Sequence, residues 1–206
     1  MRNLNDYPLF ASHHTTLKKA SCDDRAGVKV YMTDSTLDVV DFDKIKNEYC
    51  KKIGLSVLPE SNDALFEDDK GNYVFVEFKN GFIAQKIVFE LQKKIYDSVF
   101  MFSGVTSLGI PEMRETLSYI LVYNDKANCG NEDKILQEKL KSAVSSSPSL
   151  DSIGKATAKW AKNEYICFGL SFFKGFCFKE VHTYTQGEFE QYLESIGATA
   201  CCSKLH

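Results

Sequence analysis

The residues of this chain best suited to chemistry are two carboxylates and a lysine in the stretch 61–80: Asp63, Glu77 and Lys79. Tyr73 to Phe78 is a run of β-branched and aromatic residues, which suits a strand. Asp68-Asp69-Lys70-Gly71-Asn72 before it is a turn cluster. The pattern predicts a β-hairpin with a three-residue loop, Asp69-Lys70-Gly71, in which Gly71 takes the left-handed position after a type I turn. Asp68 then faces Asn72, Glu67 faces Tyr73, and the ladder puts Asp63 opposite Glu77. Alternation along a strand places Glu77 and Lys79 on one face, so all three residues converge. A two-residue Lys70-Gly71 turn would shift the pairing by one and separate the acids.

Two carboxylates directly opposite in a sheet repel. A hard divalent cation removes that cost, because Mg²⁺ binds through one or two carboxylates plus water and phosphate oxygens. A lysine beside it can hold a scissile phosphate or help an attacking water lose its proton.

An acid, a turn, then Glu-x-Lys closing an apolar strand resembles the PD-(D/E)xK nuclease superfamily, over roughly residues 38–125. The resemblance implies a restriction-endonuclease-like α/β core and a metal-dependent nuclease that hydrolyses DNA phosphodiesters, with DNA expected in preference to RNA. Asp63 and Glu77 would hold Mg²⁺ or Mn²⁺, and Lys79 would position the attacking water. A helix before the first core strand often adds an acid in that family, and Glu48 is the candidate. Gln92-x-x-x-Tyr96 is similar to a motif of RecB-like and CRISPR-associated exonucleases, implying that Gln92 and Tyr96 contact nucleic acid, with Lys93 adding phosphate attraction. One departure is Asn62, where the family has Pro; Pro59 lies four residues before the acid. Glu67, on the same predicted face, is the alternative acid.

The elements that must position these residues follow from periodicity. Residues 1–37 read as irregular, with a short strand within Val28 to Met32. Asp38 to Ile53 reads as a helix ended by Gly54. Leu55 to Leu58 is the candidate for a further core strand. Ile83 to about Phe102 is the strongest helix, Ser103 to Arg114 a loop, and Ser118 to Tyr123 a strand buried on both faces. Residues 131–144 read as a helix, 145–152 as a Ser-rich loop, and 153–162 as a helix carrying Lys155, Lys159 and Lys162. Tyr165–Phe173 and Gly175–Tyr184 read as two strands turning at Lys174-Gly175. Thr185-Gln186-Gly187-Glu188 opens a final helix with a capping box. The whole is an α/β chain: a mixed central sheet flanked by helices, with a nuclease-like core over 38–144 and a C-terminal α+β extension over 153–206, packed as one domain.

The chain has 206 residues, 44% hydrophobic and 26% charged, with a net charge of −3. That is a soluble globular composition, and any nucleic-acid contact must come from a local patch rather than from general basicity. The seven cysteines form no Cys-x-x-Cys, so zinc is not indicated and reduced thiols of a cytoplasmic protein are expected. Cys167 and Cys177 fall in apolar runs and are expected in the core, Cys201-Cys202 in the tail. No run is long enough to span a membrane. The C-terminal third is the candidate surface for a homodimer or a protein partner. Two other functions fit the same residues: a catalytically inactive nuclease-like nucleic-acid-binding or defence-system protein, and an unrelated α/β interaction domain in which Asp63, Glu77 and Lys79 form a surface charge network.

Overall fold

A computed structural model describes residues 2–24, 27–129 and 166–198. The expected helices over 131–144 and 153–162, the Ser-rich loop over 145–152 and Cys201-Cys202 lie outside the described residues.

The hairpin forms in the expected register. Strand β5 (Ala64–Glu67) runs antiparallel to β6 (Tyr73–Lys79), with Glu67 opposite Tyr73 and Ala64 opposite Val76. Gly71 sits at φ +75°, and its N–H donates to the Asp68 carbonyl at 3.0 Å. The Asp68 carboxylate ties the loop further by accepting from the backbone N–H groups of Lys70 and Asn72.

Around the hairpin lies a six-stranded mixed sheet in the order β1-β4-β5-β6-β7-β8. It contains β1 (His14–Thr16), β4 (Asp38–Asp41), β7 (Leu117–Tyr123) and β8 (Glu180–Thr185). Pairing is antiparallel from β1 to β6, then parallel through β7 to β8. A small separate ladder joins β2 (Cys22–Asp23) to β3 (Val30–Tyr31), inside the short strand expected at 28–32.

Odd-numbered β6 residues face one layer of helices and even-numbered ones the other. Tyr73 and Phe75 pack with Phe42 and Ile45 of α3 (Phe42–Ile53), and with Leu91, Ile95 and Phe102 of α4 (Gln85–Thr106). Val74, Val76 and Phe78 pack with Phe189 and Leu193 of α7 (Gln186–Ser195), and with Leu17 of α2 (Leu17–Ala20). Three short helices, α1 (Pro8–Ala11), α5 (Ile110–Thr116) and α6 (Asp125–Asn128), complete the described elements named here. The segment before β1 is stitched to the hairpin from outside. Leu4 N–H donates to the Glu67 carboxylate at 2.9 Å, and the Tyr73 hydroxyl donates to the Arg2 carbonyl.

Several expectations are corrected. Asp38–Asp41 is not the first turn of a helix but a strand of the central sheet, β4. The β-branched Val39 and Val40 are buried on its two faces, in different core clusters, and Asp41 then caps α3 by accepting from Lys44 N–H. Leu55 to Leu58 forms no strand, and Leu55, Val57 and Leu58 are exposed. The expected loop over 103–114 holds the last turn of α4 and most of α5. The expected strand ending at Phe173 is instead a 3₁₀ turn, Leu170–Phe173, entered through Gly169 at φ +68°. The second strand is shorter than expected and enters the sheet beside β7, so the C-terminal extension continues the central sheet. Gly54 ends α3 at φ +72°, the Thr185–Glu188 capping box opens α7, and Cys167 and Cys177 are buried, all as expected.

Candidate functional site

Asp63 lies one residue before β5, just past the last ladder pair, Ala64 with Val76, and its N–H donates to the Val76 carbonyl at 3.1 Å, which sets it beside the Glu77 end of β6. Its carboxylate accepts from Phe78 N–H at 2.7 Å, which folds the acid back over the strand it faces. Glu77 is completely buried, and Lys79 follows it on the same face. Lys79 Nζ lies 2.9 Å from Glu77 Oε1. The structure therefore brings Asp63, Glu77 and Lys79 together under α4. Because Glu77 has no exposed surface, the three do not form a surface charge network.

A fourth member comes from α4. Lys94 Nζ stands 2.7 Å from the same Glu77 oxygen and 3.4 Å from Asp63 Oδ1, bridging the two acids. The signal for it is in the sequence: Leu91, Lys94, Ile95 and Ser98 fall at helical spacing on one stripe, so a lysine interrupts the buried face of the helix. Ser98 Oγ, one turn on, accepts from Asn62 N–H at 2.8 Å and fixes the residue before Asp63. The same rotation removes Gln92 and Tyr96 from the site. Each is two residues from Lys94, about 200° around the helix. The Tyr96 ring instead meets Phe173 at 5.2 Å and Phe176 at 6.5 Å, and Lys93 pairs with Asp97 at 2.6 Å.

Glu48 is not brought to the carboxylates either; it is engaged by His13. The acids that α3 contributes come from its N-terminal end, where the cap Asp41 and first-turn Asp43 line the same cavity as Asp63. Asp43 accepts from the Ser61 hydroxyl at 2.5 Å and pairs with Lys46. Burial works against its charge, but those two partners outweigh it and hold its carboxyl below the usual range. Glu67, the alternative acid, sits at the loop end of β5 and is taken by Leu4 N–H.

The cavity measures about 580 Å³. Five aspartates (23, 24, 41, 43, 63) and four lysines (19, 44, 79, 94) line it, so it has no excess of positive charge. Burial first, and then the facing Glu77, push the Asp63 carboxyl up to about 7 against the opposing pull of Lys94 and the Phe78 N–H. Burial disfavours the Lys94 ammonium, yet Glu77 and Asp63 outweigh it and hold Lys94 protonated, above the ordinary lysine value. Glu77 Oε2, the Tyr119 hydroxyl and both side-chain polar atoms of Asn62 are buried with no hydrogen-bond partner among the described residues.

These features bear on a cation. Among the described residues no group of three or more His, Cys, Asp or Glu is arranged to hold a metal ion. Asp63 and Glu77 are hard oxygen donors of the kind Mg²⁺ or Mn²⁺ takes; Asp63 lines the cavity, while Glu77, with Oε2 unpartnered among the described residues, is wholly buried behind it. No family model, curated protein or solved structure matches the chain.

Proposed function

We propose that this protein is a metal-dependent nuclease with a restriction-endonuclease-like core, hydrolysing DNA phosphodiesters at the cavity under α4. The observation that carries the reading is the convergence of Asp63, Glu77 and Lys79 at the end of the hairpin, with Lys94 reaching both acids. The order β4-β5-β6-β7, an antiparallel meander followed by a parallel strand across a helical crossover, supports the core assignment. It departs from the expected order in that α3 follows the first strand of the meander instead of preceding it.

Asp63 and Glu77 would hold Mg²⁺ or Mn²⁺, which would polarise the scissile phosphate and lower the pKa of water. Lys79 and Lys94 supply fixed positive charge where negative charge builds on the phosphate, in a site with little exposed surface to screen it. Ser98 holds the chain entering Asp63, and Phe78 N–H orients its carboxylate. The pairing of both lysines with Glu77 also suits a second reading, a closed charge cluster in a catalytically inactive nucleic-acid-binding protein.

Calorimetric titration of Mn²⁺ separates the two. The nuclease reading expects binding by the wild type that Asp63→Asn and Glu77→Gln each abolish, and Mn²⁺-dependent cleavage of DNA that Lys79→Ala loses with Mn²⁺ binding intact. An absence of Mn²⁺ binding both with and without an oligonucleotide would overturn it in favour of the closed cluster.

A further inference from the structure

A cavity lined by as many acids as this one cannot itself draw in a polyanion, and the whole chain carries net negative charge. Affinity for a nucleic acid requires a local excess of cations in reach of the cavity. The exposed side of α3 has one. Lys44, Asn47, Glu48, Lys51 and Lys52 recur at helical spacing on one face and, with His13, line a second, shallower depression of about 670 Å³. Its single carboxylate, Glu48, is already engaged by His13. Neither Lys51 nor Lys52 has a carboxylate partner among the described residues, and both are exposed.

Lys44 links this surface to the cavity. It lines both, held at the mouth by Asp41 at 2.9 Å. From Lys44 to Lys51 the helix rises about 10 Å, which matches about three phosphate-to-phosphate steps along one strand.

We infer that the Lys44–Lys51–Lys52 face of α3 is a phosphodiester track, a sequence-independent binding surface that delivers one nucleic-acid strand to the carboxylate cavity. It rests on the nuclease reading for the choice of polyanion, and it replaces the outer face of α4 as the nucleic-acid contact. The contacts are to phosphate, so they set affinity and salt dependence rather than sequence preference.

The test is fluorescence anisotropy of a labelled single-stranded oligonucleotide with the full chain in EDTA, repeated over a range of salt concentrations. Lys51→Gln with Lys52→Gln is expected to weaken binding about tenfold at low salt and to lower the slope of log K against log salt by about 1.4, near 0.7 per lost contact. Lys70→Gln with Lys86→Gln, which removes the same charge from the hairpin loop and from α4, is expected to change neither. Equal losses in both pairs, no oligonucleotide binding at all, or binding only to phosphatidylserine vesicles would overturn the proposal. Binding that depends on Lys51 and Lys52 in a protein that cleaves nothing would keep the track and remove the nuclease. Cleavage and binding untouched by the Lys51 and Lys52 changes would do the reverse.

Discussion

The space between β6 and α4 has two ends made by the same two elements, and they are opposite in character. Toward the hairpin loop, Tyr73 and Phe75 meet Phe102 edge-on at 5.2 and 5.7 Å, and Phe75 meets Phe42 at 4.8 Å. Four residues along the same face, Glu77 and Lys79 meet Lys94, with buried polar atoms left unpartnered. The aromatic end gains by burial and ring geometry. The charged end gives stability back, because ions removed from water recover their hydration only in part. The hydrophobic half therefore fixes the strand–helix distance at which the charged half must operate.

The largest effect expected from breaking this arrangement is at the aromatic end. Phe102→Ala should cost about 3–5 kcal/mol in chemical denaturation, the usual range for emptying a fully buried phenylalanine site. A loss below about 1 kcal/mol would mean that the scaffold lies elsewhere.

Removing the bridging cation should cost less. Lys94→Met leaves Asp63 and Glu77 facing each other with only Lys79 for company, and is expected to destabilise by about 2 kcal/mol near neutral pH. The deficit should shrink near pH 5, where Asp63 carries its proton. A loss that does not vary with pH would show that the ammonium matters only as packing.

Titration of Asp63 sharpens the contrast further. With a folded value of about 7, against an ordinary carboxylate value of 3.8, Asp63 holds a proton in the folded state that the unfolded chain has already released across that interval. Its contribution therefore makes stability fall as pH rises from about 4 to about 7, and level off above. Urea midpoints of wild type minus Asp63→Asn should show that slope. A difference that grows in the other direction would place Asp63 among ordinary stabilising carboxylates.

The hairpin was legible in the sequence because loop length, a glycine and strict alternation all constrain the same register. The elements flanking it were less so. Val39 and Val40 satisfy a helical stripe and a two-sided strand equally well, and only the pairing of β4 with β5 decides between them. Lys94 escaped because a lysine on an amphipathic helix ordinarily faces water, and its burial depends on carboxylates that arrive from 17 and 31 residues away. Gln92 and Tyr96 share a face with one another, but the orientation of that face is set by Leu91, Ile95 and Ser98, which turn Lys94 inward instead. Glu48 lies midway along α3, while the end of that helix nearest Asp63 is its first turn, with Asp41 and Asp43.

The ties from Leu4 and Arg2 to the hairpin have a consequence for the order in which the protein is made. Residues 2–4 leave the ribosome long before Glu67 and Tyr73, the groups that satisfy them. At about 5–20 residues per second that is a wait of roughly 3–14 seconds. Throughout it, the apolar side chains of Leu4, Tyr7 and Phe10 lack the part of their core that β6 and α4 supply. Strand β8 arrives later still, to close the parallel edge. This segment is therefore exposed to chaperones and proteases until the hairpin closes, and a mutation that slows hairpin closure would lengthen that exposure even if the finished fold were equally stable.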